Sequence, residues 1–161
     1  APAVSACAPG HRGNADTHQA WSEAGIRVAV AGTGGGLLAP HVDEYGLLHL
    51  HRNIDFEPSH KQLDLQKYIE LAAVCFARGI PLIISIHSIN FHSTLRDFRT
   101  PTLTALDELL SALESKYPEL SYVSDGDLNE MVSAVAGGAT QIDASMSQFS
   151  SNPRLAMGGT A

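Results

Sequence analysis

The sequence predicts an α/β protein with a mainly parallel sheet, and three observations lead to this class. Short apolar runs rich in β-branched residues alternate with segments in which apolar residues recur at intervals of three and four. Glycine, proline and small polar residues separate the two kinds of segment. The connections are short, and strands that alternate with helices over short connections favour a parallel sheet covered by helices. We expect either an open doubly wound sheet or a partial or distorted (β/α) barrel.

The first part of the chain is predicted to run strand, helix, strand. Residues 1–8 are small and apolar, which is compatible with a short buried strand. Asn14 or Asp16 caps the following helix, because either side chain accepts hydrogen bonds from a first helical turn. Gly25 ends that helix, and the β-branched run at 26–31 is the second strand.

Two strands flank the next helix. Residues 46–51 form the third predicted strand. Ser59 or Asp64 begins a helix with one apolar stripe, and Gly79 ends it. The apolar run at 81–86 predicts a fourth strand that is buried on both faces. We regard this fourth strand as the centre of the fold.

The order helix, strand, helix is predicted for the next part of the chain. Thr100 caps a helix that carries leucines from 103 to 113 and ends near Tyr117. Residues 120–124 are predicted to be a short fifth strand. A last helix follows at about 125–134.

Composition indicates one globular domain and argues against two classes of partner. The chain has 161 residues, 44% of them hydrophobic. Its net charge of −7 disfavours binding to nucleic acids and to anionic membranes, and no apolar window is long enough to span a bilayer. We assign residues 1–135 to the α/β domain and the small-residue segment 136–161 to a mobile or extended tail. Cys7 and Cys75 leave a disulfide open.

Polar side chains follow each predicted strand. The carboxyl ends of parallel strands meet at one edge of a sheet, and ligands bind there. We therefore expect a shared polar edge built from these residues: His11, Arg12 and Asn14; His41, Asp43 and Glu44; Arg52, Asp55 and Glu57; His87, Asn90, His92, Arg96, Asp97 and Arg99; Asp125 and Asp127. His87 directly follows the fourth strand, and we interpret it as an acid–base group. The alternative is a structural imidazole bonded to a loop carbonyl.

Two further patterns allow more than one interpretation. His49 and His51 alternate on a strand and share a face, so they could bind a metal together, but hydrogen-bonded structural histidines are more frequent. The glycines at 32–36 would let backbone amides approach an anion, but no Lys-Ser/Thr pair follows them. We favour a flexible loop there.

Two stretches, 52–59 and 79–91, resemble the C-terminal half of polysaccharide deacetylase-like proteins. These proteins belong to the glycoside hydrolase/deacetylase group of distorted (β/α) barrels. Arg99, Leu106 and the turn at 117–120 extend the resemblance to most of the chain. In that family a strand ending in histidine supplies the catalytic acid, and the resemblance implies this role for His87.

The resemblance implies a secreted, carbohydrate-active hydrolase. The catalytic candidates are His87 and Asp55, and the candidates for binding a carbohydrate substrate are His11, Arg52, Asn90, His92 and Arg99. The turn at 8–11 is similar to the family's Arg-x-Pro loop, with Cys7 where that arginine is expected.

The metal motifs of this family are missing from the sequence. Deacetylases of the group bind their metal through Asp-Asp and His-x-x-x-His motifs, and neither occurs here. We therefore assign no metal ligands in this chain, and a divalent metal such as zinc is expected only if a missing half supplies them. Three explanations stay open: the chain is part of a longer protein, a second subunit completes it, or it is a non-catalytic glycan-binding or structural protein that forms a homo-oligomer.

Overall fold

The computed structural model describes residues 3–32 and 37–135 and has a mixed α/β fold with a mostly parallel sheet. The chain divides into two compact units, Ala1–Tyr122 and Val123–Ala161. The predicted tail at 136–161 and most of the glycine loop at 32–36 lie outside the described residues. The strands and the candidate site all belong to the first unit.

The larger sheet of the first unit has four strands in the order β1-β2-β4-β3. Their bounds are Ser5–Ala6 (β1), Val28–Ala31 (β2), His41–Val42 (β3) and Leu48–His51 (β4). β1, β2 and β4 are parallel, as predicted, and each lies inside its predicted range. β3 was missed because both of its residues are exposed, so no apolar pattern marks it. It pairs antiparallel with β4.

A second sheet consists of two parallel strands, Ile54–Asp55 (β5) and Ile84–Ser85 (β6). The predicted fully buried strand at 81–86 is therefore wrong in extent, since only two of its residues pair. The side-chain oxygen of Asn53 accepts a hydrogen bond from the backbone N–H of Ile83 at 2.6 Å, which satisfies that backbone group before the ladder begins. Residues 81–84 are only half-buried. The expected single five-stranded sheet is also wrong in the described part of the chain, because β5 and β6 pair only with each other.

Two of the helices begin at capping residues that the sequence predicted. Helix α1, Ala15–Glu23, is capped by Asn14, and α2, Leu65–Ala77, is capped by Asp64. Asn14 accepts a hydrogen bond from the Thr17 N–H at 2.9 Å. At each of these two starts, the structure therefore selects one of the two predicted capping residues.

The third helix begins earlier than predicted. Helix α3 spans Arg99–Lys116, so Thr100 lies inside it and is not its cap. The cap position is Phe98, whose side chain makes no capping bond, and Asp97 just before it accepts a hydrogen bond from the Thr100 N–H at 3.0 Å. The end near Tyr117 is confirmed.

The fifth strand is not formed: residues 120–124 have no strand pairing. Within the second unit, residues 125–135 are helical (α4), which confirms the last predicted helix. None of the described helices is both long and apolar enough to cross a membrane.

One hydrophobic core cluster lies where α2 and α3 pack on β5. It contains Ile54, Phe56, Ala72, Leu109 and Leu113, each at most 1% exposed. The predicted leucine stripe of α3 is thus confirmed at its C-terminal end, whereas Leu103 is 44% exposed. This core holds the two strands of the second sheet in place, and their carboxyl ends carry the polar residues considered next.

Candidate functional site

A carboxylate–histidine pair lies at the carboxyl ends of β5 and β6. Glu57 follows β5 by two residues and His87 follows β6 by two, so parallel pairing brings them to one edge. The Oε1 atom of Glu57 accepts hydrogen bonds from the ring Nδ1 of His87 and, at 3.2 Å, from its backbone N–H. The Glu57 side chain is 8% exposed and that of His87 is 64% exposed. The ring therefore rests on a buried acid and turns its other nitrogen outward.

Asn90 fixes the second oxygen of the same carboxylate. Its amide Nδ2 donates to Oε2 of Glu57 at 2.6 Å and to the backbone carbonyl of His87 at 3.0 Å. Its Oδ1 accepts from the Ser59 N–H at 3.0 Å. Asn90 is completely buried, in a short 3₁₀ turn at Ser88–Phe91. The residue predicted to bind substrate is thus bonded within the protein, where it orients Glu57.

The surroundings of Glu57 favour its charged form. Burial raises the pKa of the carboxyl group, but the hydrogen bonds from Asn90 and His87 outweigh burial, and the pKa is lowered below its ordinary value of 4.5. A carboxylate at this place favours the tautomer of His87 that carries a proton on Nδ1. The Nε2 atom of the ring is then the nitrogen that can exchange a proton with a ligand.

An open depression lies beside this pair. Asp55, Glu57, His60, His87 and Ile89 line a volume of about 470 Å³. The carboxylate of Asp55 is half-exposed there and lies 3.5 Å from the Nζ atom of Lys61. The predicted catalytic residues His87 and Asp55 therefore face the same space.

A second polar group connects the larger sheet to β6. Arg52, which follows β4, donates from its guanidinium to Oγ of Ser85 at 3.2 Å and lies 3.2 Å from Nε2 of His11. The Sγ atom of Cys7 is 3.3 Å from Nδ1 of His11 and accepts from Arg52 at 3.5 Å. A Cβ atom at Gly32 would lie 2.8 Å from the His11 ring, so only glycine permits this approach. The structure thus brings together two predicted substrate-binding residues, His11 and Arg52.

Other residues predicted at the polar edge are placed elsewhere. Among the described residues, the side chains of His92 and Arg99 form no hydrogen bond with the Glu57–His87 pair or with the residues around Arg52. The placement of Asp43 and Glu44 at this edge was wrong, because β3 is antiparallel and Asp43 lies opposite Leu47, at the amino end of β4. Asp125 and Asp127 belong to the second unit, where Asp127 accepts from the Ser124 N–H at 2.7 Å.

Sequence reasoning placed Glu57 at the polar edge but did not select it as a site residue. The available signal for selecting Glu57 was its position between two apolar residues, Phe56 and Pro58. Cys7 and Ser85 were also not selected, and nothing local distinguishes them. Their contacts with Arg52 depend on the pairing of strands far apart in the sequence.

Comparison with known proteins found no matching family model, no matching curated protein and no matching solved structure. The class that fold and site define is therefore a mixed α/β protein with a buried carboxylate beneath an exposed histidine, at the carboxyl edge of parallel strands.

Proposed function

We propose that this chain is, or forms part of, a carbohydrate-active hydrolase of the polysaccharide deacetylase type. The observation that carries this proposal is the exposed ring of His87, held through Nδ1 by the buried carboxylate of Glu57. Carboxylate–imidazole pairs of this kind orient the ring and stabilise its charged form during proton transfer. The sequence resemblance supplies the substrate class, a glycan bearing acyl groups.

In the proposed reaction, water attacks the acyl carbon and the bond to the sugar oxygen or nitrogen breaks. His87 donates a proton from Nε2 to the leaving oxygen or nitrogen, while Glu57 stabilises the charged ring. Asp55 faces the same depression and accepts the proton that water loses. The products are a carboxylic acid and a free hydroxyl or amine, so atoms and protons balance.

The residues around His87 do not fit a metal as they are arranged. One ligand atom from each of Asp55, Glu57 and His87 lies within 4.8 Å of the others. However, the carboxylate of Glu57 and Nδ1 of His87 are bonded to each other, and the second carboxylate oxygen is bonded to Asn90. A metal would have to replace these bonds, so the proposed proton transfers use side chains alone.

The incomplete sheets support the idea that this chain is part of a larger barrel or assembly. Among the described residues, the β5–β6 sheet has only two strands, and isolated two-stranded sheets are marginally stable. Further strands from the same protein or from a second subunit would complete a (β/α) barrel. Secretion of the protein is proposed from the resemblance alone.

A non-catalytic glycan-binding or self-assembling protein is the second candidate. The exposed edge strand β3 favours it, because Val42 is 54% exposed and unpaired edges bind other strands. In this alternative the polar edge binds sugar hydroxyls, and no bond is cleaved.

Release of acetate from acetylated oligosaccharides tests the proposal. Wild-type protein, His87→Ala, Glu57→Gln and the matched control Glu108→Gln would be assayed side by side, since Glu108 is exposed on α3. We expect His87→Ala to lower kcat/KM at least about 100-fold and Glu57→Gln to lower it less, because general acid catalysis contributes roughly 10²- to 10⁴-fold. The control should match wild type.

Circular dichroism would establish that each variant is folded. Full activity in a folded His87→Ala protein would contradict the acid role. Glycan binding by wild-type protein without acetate release, together with a concentration-dependent oligomer, would support the second candidate instead.

A further inference from the structure

Four histidine rings gather on one face of the larger sheet, in a group that shares no residue with the Glu57–His87 pair. His49 and His51 alternate along β4 and share a face, as their spacing predicts. His41 lies opposite His49 in the register of β3, and its ring centre is 4.8 Å from that of His49. The ring of His18, from α1, lies 4.9 Å from that of His49 on another side.

Asp43 turns one carboxylate oxygen toward two of these rings. Its Oδ1 accepts hydrogen bonds from the N–H groups of Tyr45 and Leu47, each at 2.9 Å, so the turn between β3 and β4 fixes the carboxylate. Its Oδ2 lies 2.9 Å from Nε2 of His49 and 3.4 Å from Nδ1 of His18. Three potential ligand atoms therefore converge from α1, from β4 and from the turn before it.

The three potential ligand atoms are close enough together to bind one small metal ion. The ligand atoms of His18, Asp43 and His49 all lie within 4.8 Å of one another. In a tetrahedral zinc site with ligand bonds of about 2.0–2.2 Å, neighbouring ligand atoms lie roughly 3.3–3.6 Å apart. The 2.9 Å contact is a hydrogen bond between His49 and Asp43, which a metal would replace, while the 3.4 Å separation of Asp43 Oδ2 and His18 Nδ1 already suits such a site. The three side chains are between 12% and 22% exposed, so they are partly shielded from water.

The surroundings leave room for a fourth ligand. A cavity of about 30 Å³ is lined by two of the ligand residues, His18 and His49, together with Gly13, Trp21 and Ala29. This volume is sufficient for one water molecule. A Cβ atom at Gly13 would lie 2.7 Å from Nε2 of His18, so glycine at this position allows the loop to close over the ring.

We propose that His18 Nδ1, His49 Nε2 and Asp43 Oδ2 bind one divalent transition metal, with water as the fourth ligand. Two imidazoles and one carboxylate favour zinc over magnesium or calcium, which prefer oxygen ligands. The metal would tie α1 to the β3–β4 turn. This site differs from the expectation of no metal ligands in the chain, because the spacing of His18, Asp43 and His49 follows none of the familiar motifs. It does not depend on the proposed hydrolase activity.

Calorimetric titration of chelator-treated protein with zinc tests this proposal. We expect one zinc per chain, with a visible spectrum typical of tetrahedral coordination when cobalt is used in its place. Asp43→Asn keeps the shape of the side chain but weakens the ligand, and His18→Ala removes a ligand from α1, a helix without fully buried residues. Each variant should bind zinc at least 100-fold more weakly, and zinc should raise the Tm of wild type but not of the variants.

His87→Ala is the control, because it removes a histidine from the other group of potential ligands. Its zinc affinity should equal that of wild type. The proposal would be overturned if wild-type protein bound no zinc, if both ligand variants retained the affinity of wild type, or if His87→Ala lost it. Circular dichroism of the zinc-free variants separates loss of a ligand from loss of fold.

Discussion

At the scale of single residues, the geometry of the candidate site depends on Asn90. Its amide group makes three hydrogen bonds, to Glu57, to the carbonyl of His87 and from the Ser59 N–H. Buried polar groups that lose their partners cost far more than exposed ones. Asn90 therefore orients Glu57 and, together with His87, favours its charged form.

Replacing Asn90 with alanine should lower the free energy of unfolding by about 1–3 kcal/mol, because Oε2 of Glu57 and the Ser59 N–H lose the hydrogen bonds that Asn90 makes to them. Urea unfolding followed by fluorescence measures this loss. Gln62→Ala, at an exposed position, serves as control and should stay within about 0.5 kcal/mol of wild type. Equal stability of the two variants would argue against a buried Asn90.

At the scale of secondary structure, the sequence was most informative at helix starts. A cap is a contact between a side chain and a backbone N–H three residues away, so local sequence contains both partners. Asn14 and Asp64 were therefore each among the two capping candidates before the fold was known. The short strands β3 and β5 could not be predicted, because two paired residues leave no periodic signal.

Removal of the α2 cap should be measurable. The Oδ1 atom of Asp64 accepts from the Lys67 N–H at 3.1 Å, and replacing such a cap with alanine typically costs about 1 kcal/mol. We expect Asp64→Ala to lower the free energy of unfolding by about this amount, as measured in urea. Glu70→Ala, on an exposed part of the same helix, should change it less. An equal effect of both substitutions would mean that general charge, not capping, stabilises α2.

At the scale of the whole molecule, buried and hydrogen-bonded carboxylates make the stability of the fold depend on pH. Glu57 has a lowered pKa in the folded protein, so the unfolded chain takes up its proton at higher pH than the folded one. Its contribution to stability is complete above its ordinary pKa of 4.5 and is lost as the pH falls through the lower folded value.

Acidification should therefore destabilise wild-type protein more steeply than Glu57→Gln below about pH 4.5. Urea unfolding at a series of pH values measures both slopes. The pKa of Asp43 is also lowered, since hydrogen bonds from His49, Leu47 and Tyr45 outweigh burial, so some slope should persist in the variant. Identical slopes in the two proteins would contradict a charged Glu57 in the folded state.

The sequence by itself determined the α/β class, the presence of the helices, three parallel strands of the larger sheet and the placement of His87 beyond the end of a strand. These features depend on contacts within a few residues or on apolar patterns along one segment. Tertiary structure decided that the strands divide into two sheets and that β3 reverses direction. It also decided that Glu57 lies under His87, a residue thirty positions away, and that Asp43 meets His18 and His49. Such pairings depend on strand register and helix packing, and a local pattern specifies neither.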